Sequence, residues 1–456
     1  MLRRPGSVLI AFALFVAGCA QAVHSESALA PAPSSVASPT ATAVPQVSAA
    51  VVLPPTLLES TPTAPPMTRL PIPVPTQTTF PSPSVTPAAR TSVTGSSHNT
   101  FGYYVPDDPT SWWSFQAQVD QLSFVAPQWV FLDGCGNLSS WDDRTLVAFA
   151  HAHGVKVVPT LPTSSGWLNH QILSDPTTAQ RAIDQSVAYV VSEGYDGLDL
   201  DFEGVRPDDR AALTGFASRL SNALHAEGKL FTMALAAKSF DAKTGWAGAD
   251  DYAALAPLVD RAIIMTYEYS GLTTPPGSTA PQAWVDQVLA YTTSVIPPEK
   301  VLLGVAFYGR DWNLTQGGRS RAVTYPQAAA IAQVAGATIS NDPTTRSGTF
   351  TYTTPAGQRP PLVAAVPSFT HDIVEHLAPA CRILPPATTP TPTFSPTPSA
   401  AAGAPVKHEV WIENASSVRA RLDLADTYKI AGVAFWRLGQ EDPAAWPTIG
   451  AWRGRK

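Results

Sequence analysis

From Tyr195 to Glu203 the chain reads Tyr-Asp-Gly-Leu-Asp-Leu-Asp-Phe-Glu, alternating carboxylates with apolar side chains. As a strand, this segment puts Asp199, Asp201 and Glu203 on one face and Leu198, Leu200 and Phe202 on the other. Successive acids then stand roughly 6.6 Å apart at Cα. Neighbouring acids on a buried face cannot all ionise cheaply, so a proton is shared and at least one pKa rises, as general-acid catalysis near neutral pH requires. Glu203, at the strand end, is placed to protonate a leaving group, and Asp201, one step below, to position what attacks. Two other readings fit the same residues. One is a hard-cation site, although Leu, Leu and Phe separate the acids where Ca²⁺ takes a polar loop with carbonyl ligands. The other is the acidic solvent face of a half-exposed strand, which helix-rich surroundings on both sides argue against.

The elements that must position this segment alternate beyond Asn99. Strand-like apolar runs occur at Phe101–Val105, Leu122–Leu132, Val155–Leu161, Asp196–Glu203, Leu230–Ala236, Arg261–Tyr267, Val301–Phe307 and Ile430–Trp436. Amphipathic helices fall between them: Ser140 is placed to cap one through His153 that Gly154 stops, Pro176 to begin one ending near Gly194, and Pro207-Asp208 to open one running to Gly228. Eight strands alternating with helices predict an α/β fold, a (β/α)8 TIM barrel, with a doubly wound open sheet as the rival. The acid face favours the barrel, whose top opens to solvent and whose catalytic groups lie at C-terminal strand ends. From Asp311 to about residue 412 the rhythm lapses, and strand-like Gly348–Thr353 and His408–Ile412 predict a small α+β insertion before the last strand. Inside it, residues 384–405 are rich in Pro, Thr, Ser and Ala and predict a surface loop.

Of twelve tryptophans, Trp112, Trp113, Trp167, Trp246 and Trp312 fall in expected loops and are candidates to stack on a sugar. Trp129, Trp141 and Trp284 fall in strand or helix patterns and are expected in the core.

The N-terminal segment carries Arg3 and Arg4, an apolar run from Val8 to Ala17, and Gly18-Cys19, the pattern of a secretory signal over residues 1–18. The run is about half the roughly 20 residues of a spanning helix. Val16-Ala17-Gly18-Cys19 resembles the lipobox of bacterial lipoproteins, which implies a lipid on Cys19 and an exported, envelope-anchored protein; an ordinary secretion signal with an incidental cysteine is the alternative. Residues 19–97 are Pro, Ser, Thr, Ala and Val with no helical period, and are expected to form a disordered tether. Of three cysteines, Cys135 and Cys381 are left either to pair in an oxidising compartment or to stay buried as thiols. No clustered His/Cys spacing indicates zinc, and His151 and His153 read as residues near a helix end. A formal net charge of -6 without a basic block argues against nucleic acid.

Asp196-Gly197-Leu198-Asp199-Leu200-Asp201-Phe202-Glu203 resembles the DGxDxDxE signature of glycoside hydrolase family 18, the chitinase-like enzymes. Met265-Thr266-Tyr267-Glu268, Phe307-Tyr308-Gly309-Arg310 and Gly432-Val433-Ala434-Phe435-Trp436 resemble that family's strand-six, strand-seven and last-strand motifs. The insertion, with His408-Glu409-Val410-Trp411, resembles the branch of bacterial enzymes acting on spore cortex or other peptidoglycan. The resemblance implies a catalytic domain over residues 98–456 and a retaining hydrolase of β-1,4-linked N-acetylglucosamine glycans, in which the substrate's own acetamido oxygen is the nucleophile. It makes Glu203 the proton donor, Asp201 the orienter of the acetamido group, Asp199 the partner that shares its proton, and Tyr267 a donor to the acetamido oxygen. Trp436 becomes the floor beneath the distorted sugar, with Met265, Glu268 and Arg310 at the substrate. Glu268 departs from the family pattern, which has Asp or Asn there. Arg310 fits either the groove or a salt bridge holding the insertion.

The expectation is therefore an enzyme with no cofactor and no metal, whose partners are a GlcNAc-containing polysaccharide and, through the lipid alone, a membrane, and which is a monomer. The alternative on the same scaffold is a catalytically silent, lectin-like surface protein. Family members of that kind generally lack the acid, which is present here as Glu203.

Overall fold

Alternation of inward and outward side chains decides how the apolar runs fold. In the computed structural model, which describes residues 98–315, 320–356, 381 and 404–454, eight parallel barrel strands form. They are β1 (Asn99–Tyr104), β2 (Phe124–Pro127), β3 (Lys156–Val157 with Thr160–Thr163), β4 (Gly197–Phe202), β5 (Leu230–Ala236), β6 (Arg261–Met265), β7 (Val301–Ala306) and β8 (Gly432–Trp436). The sheet closes on itself through β3. Lys156–Val157 pair with β2 while Thr160–Thr163 pair with β4, and β8 lies between β1 and β7. Pro159, which has no N–H, marks the break in β3, and its carbonyl still accepts from Asp199 N at 3.0 Å. The open-sheet alternative is therefore excluded. The signal segment, Cys19, the tether and residues 384–403 of the expected loop lie outside the described residues. Among the described residues no helix is long and apolar enough to cross a membrane.

Residues i and i+2 sort cleanly to two layers. Leu198, Leu200 and Phe202 of β4 face outward into the main core, beneath helices Pro176–Ser192 and Arg210–Ala226. Phe101 and Tyr103 of β1, Ile263 of β6, Leu302 of β7 and Ala434 of β8 fill the barrel interior. Gly197 opens β4 because β5 runs too close for a side chain: a Cβ there would sit 2.3 Å from Leu230 O.

Several local expectations change. The Leu122–Leu132 run is divided into β2 and a short strand, Val130–Leu132, that pairs antiparallel with Leu138–Ser140. Ser140 is therefore a strand residue, and Asp143 caps helix Arg144–Ala152 by accepting from Thr145 N and Leu146 N. Ser165 caps a further helix, Gly166–Ser174, and Pro176 begins Pro176–Ser192 as expected, with Asp175 as its cap.

Between β7 and β8 a five-stranded antiparallel sheet forms, in the order Ser320–Thr324, Tyr308–Asn313, Val406–Ile412, Gly348–Thr354 and Ser340–Asn341. Helix Tyr325–Ala335 packs on it through Ala328, Ile331 and Ala332, against Val323, Phe350, Val410 and Ile412. The sheet begins at Tyr308, three residues before Asp311, so its first strand follows β7 almost directly. Trp312, expected in a loop, is fully buried in that strand and donates from Nε1 to Thr274 O at 3.0 Å.

Candidate active site

The inward face of β4 carries the acids. Asp199, in the barrel floor, is fully buried and accepts from Thr232 Oγ1 of β5 at 2.6 Å and Thr160 Oγ1 of β3 at 3.3 Å. Burial raises its pKa to about 6, with the hydroxyls of Thr232, Tyr103 and Thr160 acting the other way. Asp201 is one step higher, and its Oδ1 is buried with no hydrogen-bond partner. Burial first, then the charges of Glu203, Asp199 and Asp250, push its pKa well up. Glu203 follows the strand's last residue. Its backbone is fixed on both sides, by Glu203 N donating to Thr163 O at 2.7 Å and Asn169 Nδ2 donating to Glu203 O at 2.7 Å. Burial, with Glu268 and Asp250 nearby, raises its pKa to about 7.

Asp201 and Glu203 open into a cavity of about 360 Å³ at the C-terminal end of the barrel, which Met265, Tyr267, Glu268, Arg310 and Trp436 also line. Inward alternation explains two of these placements: Met265 follows Ile263 by two residues and Trp436 follows Ala434 by two. Trp436 meets Tyr103 edge-on, with ring centroids 5.1 Å apart, and a cis peptide joins it to Arg437. Tyr267 is half-buried near Asp201 and Glu203, and desolvation with those charges holds its phenol far above the ordinary range, so it stays a donor.

Glu268 and Arg310 meet in one cluster. Glu268 has a left-handed backbone, φ 64°, and its carboxylate accepts from Tyr308 Oη and from Arg310, whose Nε lies 3.2 Å from Oε1. Arg310 also donates to Ser320 Oγ at 3.2 Å. It thus serves as a groove residue and as the ion-pair partner that joins the insertion sheet to the end of β6.

Tyr308 of the strand-seven motif also lines the cavity, as do residues that the sequence did not single out: Tyr103, Gln128, Arg437 and Gln440. Arg437 pairs with Asp108 at 2.8 Å. Asp250, in the segment after β5, lies behind Glu203 in a smaller side chamber. The aromatic set divides differently from expectation. Trp112 packs on Phe115 and Phe149, and Trp141, expected in the core, is exposed against Phe131. Trp129 is fully buried and Trp284 packs on the core. Trp113, Trp167 and Trp246 are exposed, and of these Trp246 lies against Gly204, next to Glu203. Cys135 and Cys381 are joined by a disulfide, and Gly134 N donates to Cys381 O at 3.1 Å. No group of metal-binding side chains is found at the acids; among the described residues the cluster with ligand-like spacing is Asp133 with that disulfide.

The model of glycosyl hydrolases family 18 matches residues 99–441, most of the chain and all of its barrel strands. The chain belongs to glycosyl hydrolase family 18. It is 29% identical to the cortical fragment-lytic enzyme of Bacillus subtilis over 283 residues, covering 61% of this chain and 54% of that relative. It is 28% identical to the uncharacterized glycosylase YvbX of the same organism over 285 residues, 62% of this chain and 69% of that one. The chain thus spans about half the length of the first of these relatives. Among solved structures, the spore cortex-lytic enzyme SleL of Bacillus megaterium superposes with a TM-score of 0.62 at 23% identity, over 79% of this chain and 74% of that one. A chitinase from Chromobacterium violaceum gives 0.63 at 21% identity, over 79% of this chain and all of that one. At these identities the two structures bear on the fold, and the fold is the (β/α)8 barrel.

Proposed function

We propose that this chain is a retaining glycoside hydrolase that cleaves β-1,4-linked N-acetylglucosamine-containing glycans by substrate-assisted catalysis. The observation that carries the reading is the pairing of Glu203, which holds its proton up to about 7, with Asp201, whose buried Oδ1 has no partner, on the wall of one cavity. In the proposed sequence Glu203 gives its proton to the glycosidic oxygen as the bond from C1 to that oxygen breaks. The acetamido carbonyl oxygen forms a bond to C1, giving an oxazolinium ring. Asp201 accepts from the acetamido N–H, Tyr267 donates to the acetamido oxygen, and Trp436 supports the apolar face of the sugar. Glu203, now a carboxylate, takes a proton from the water that reopens the ring at C1, and the configuration is retained.

The insertion sheet and the lipobox-like Val16-Ala17-Gly18-Cys19 favour peptidoglycan or cortex fragments over chitin, as does the name of the cortical fragment-lytic relative. Release of reducing ends from purified muropeptides and from chitooligosaccharides tests the reading. Cleavage that Glu203→Gln abolishes supports it. Binding of either glycan without release by the folded wild type favours a sugar-binding protein instead. The same reading places the enzyme at the cell envelope on a lipid at Cys19, and mass spectrometry of the mature N-terminus in wild type and Cys19→Ala tests that address.

A further inference from the structure

The segment between β5 and helix Tyr252–Leu255 is built around two cations. Lys238, almost wholly buried, donates to Asp250 O, lies 3.4 Å from Asp241 Oδ1, and stacks over the Tyr252 ring at 4.6 Å from its centroid. Arg210 reaches in from its helix to Gly248 O at 2.8 Å, Asp241 at 2.9 Å and Asp251 at 3.0 Å. Clamped this way, the segment presents one carboxylate inward. Asp250 is buried, and its Oδ2 accepts from Ala236 N, at the end of β5, at 2.8 Å. Asp250 and Glu203 line the same small side chamber with Ala234, Trp246 and Met265. Ala234, Met265 and Glu203 line the main cavity as well, so the chamber backs directly onto the acid.

We propose that Asp250 is a positioning residue for Glu203, a buried carboxylate behind the acid that helps to set the pH range over which Glu203 holds its proton. This rests on the reading of Glu203 as the proton donor but is tested apart from it. The groups that face Glu203 are Asp201 from β4, Tyr267 and Glu268 from the end of β6, and Asp250 from this segment. Arg310 offsets Glu268, and Lys238 with Arg210 offsets Asp250. Glu268 is therefore matched by an ion pair at its own carboxylate, whereas Asp250 meets its nearer cation through its backbone carbonyl and keeps its carboxylate for Ala236 N and the chamber. Two carboxylates that face one small chamber raise the affinity of one of them for a proton. Burial and then Glu268 raise the pKa of Glu203, and Asp250 adds to that rise; at Asp201 it adds to the rise that burial, Glu203 and Asp199 produce.

The test reads Glu203 itself, independently of turnover. In protein carrying ¹³C-labelled glutamate, the Glu203 carboxyl resonance is identified by its loss in Glu203→Gln and followed against pH. Asp250→Asn keeps an oxygen for Ala236 N and removes the charge, and its Glu203 midpoint is expected about half a unit or more below the wild-type value. Lys238→Met removes the offsetting cation and is expected to move the midpoint upward. Midpoints that stay with the wild type in whichever of the two variants is folded overturn the proposal. An inactive wild type whose midpoint still moves in the variants contradicts the hydrolase reading and leaves the role of Asp250 standing.

Discussion

Thr232 Oγ1 donates to Asp199 Oδ1 at 2.6 Å across the β4–β5 pair, inside the barrel and away from water. A hydroxyl can favour an ionised carboxylate by donating to it, and this one works against the burial that raises Asp199. In the proposed mechanism the donors at the floor favour the ionised form of Asp199 and so leave the proton with Asp201 and Glu203. Thr232→Val removes one donor to a charged acceptor, a loss of about 1.5–3 kcal/mol, so kcat is expected to fall by about tenfold or more. Steady-state kinetics on a soluble chitooligosaccharide, with circular dichroism to check the fold, reads this.

The pH profile follows from Glu203. Its pKa is raised to about 7, and the proposed chemistry needs it protonated in the first step. kcat/KM is therefore expected to decline as pH rises through about 7. A profile of initial rates from pH 4 to pH 9, roughly, spans the expected limb.

The same burial has a cost in stability. An acid whose folded pKa lies above its unfolded one binds its proton more tightly in the native state, so stability falls as pH rises from about 4.5, the ordinary value, to about 7. Below that window Glu203→Gln is expected to unfold with the wild type. Above it the variant is expected to melt a few degrees higher, and Asp201→Asn likewise, because each removes a charge that the native state must bury. Thermal melts at the two ends of the window distinguish this from a general packing effect.

Glu268 tests the seam between barrel and insertion. Its carboxylate meets both Tyr308 and Arg310, and Asp at this position is one methylene shorter. Glu268→Asp is expected to break one charge-assisted contact, loosen the groove wall and raise KM by about tenfold, with a smaller change in kcat. KM and kcat measured separately on the same oligosaccharide check the split.

Strand β5 is readable to the residue from sequence because Leu230–Ala236 is flanked by Gly228 and by the polar segment after Ala236. The acid face of β4 is equally legible, since a period of two survives burial on both sides. Helix and loop assignments that hang on tertiary partners are less so. Ser140 has the chemistry of a cap, but a hairpin claims it and Asp143 takes the role. Trp312 reads as a loop residue because the insertion sheet that buries it is assembled from segments nearly a hundred residues apart, Asn313 pairing with His408. Asp250 carries no such signal in the sequence; its neighbour Asp251 is the N-cap of Tyr252–Leu255. Nothing local shows that the segment folds back behind Glu203.

The central claim is that the substrate's own amide attacks C1 while Glu203 protonates the departing sugar. The most direct measurement is proton NMR of the first-formed anomer during hydrolysis of an N-acetylglucosamine oligomer. The account predicts the β-anomer, appearing before mutarotation and absent with Glu203→Gln. An initial α-anomer, or a β-anomer formed equally fast by that variant, would contradict it.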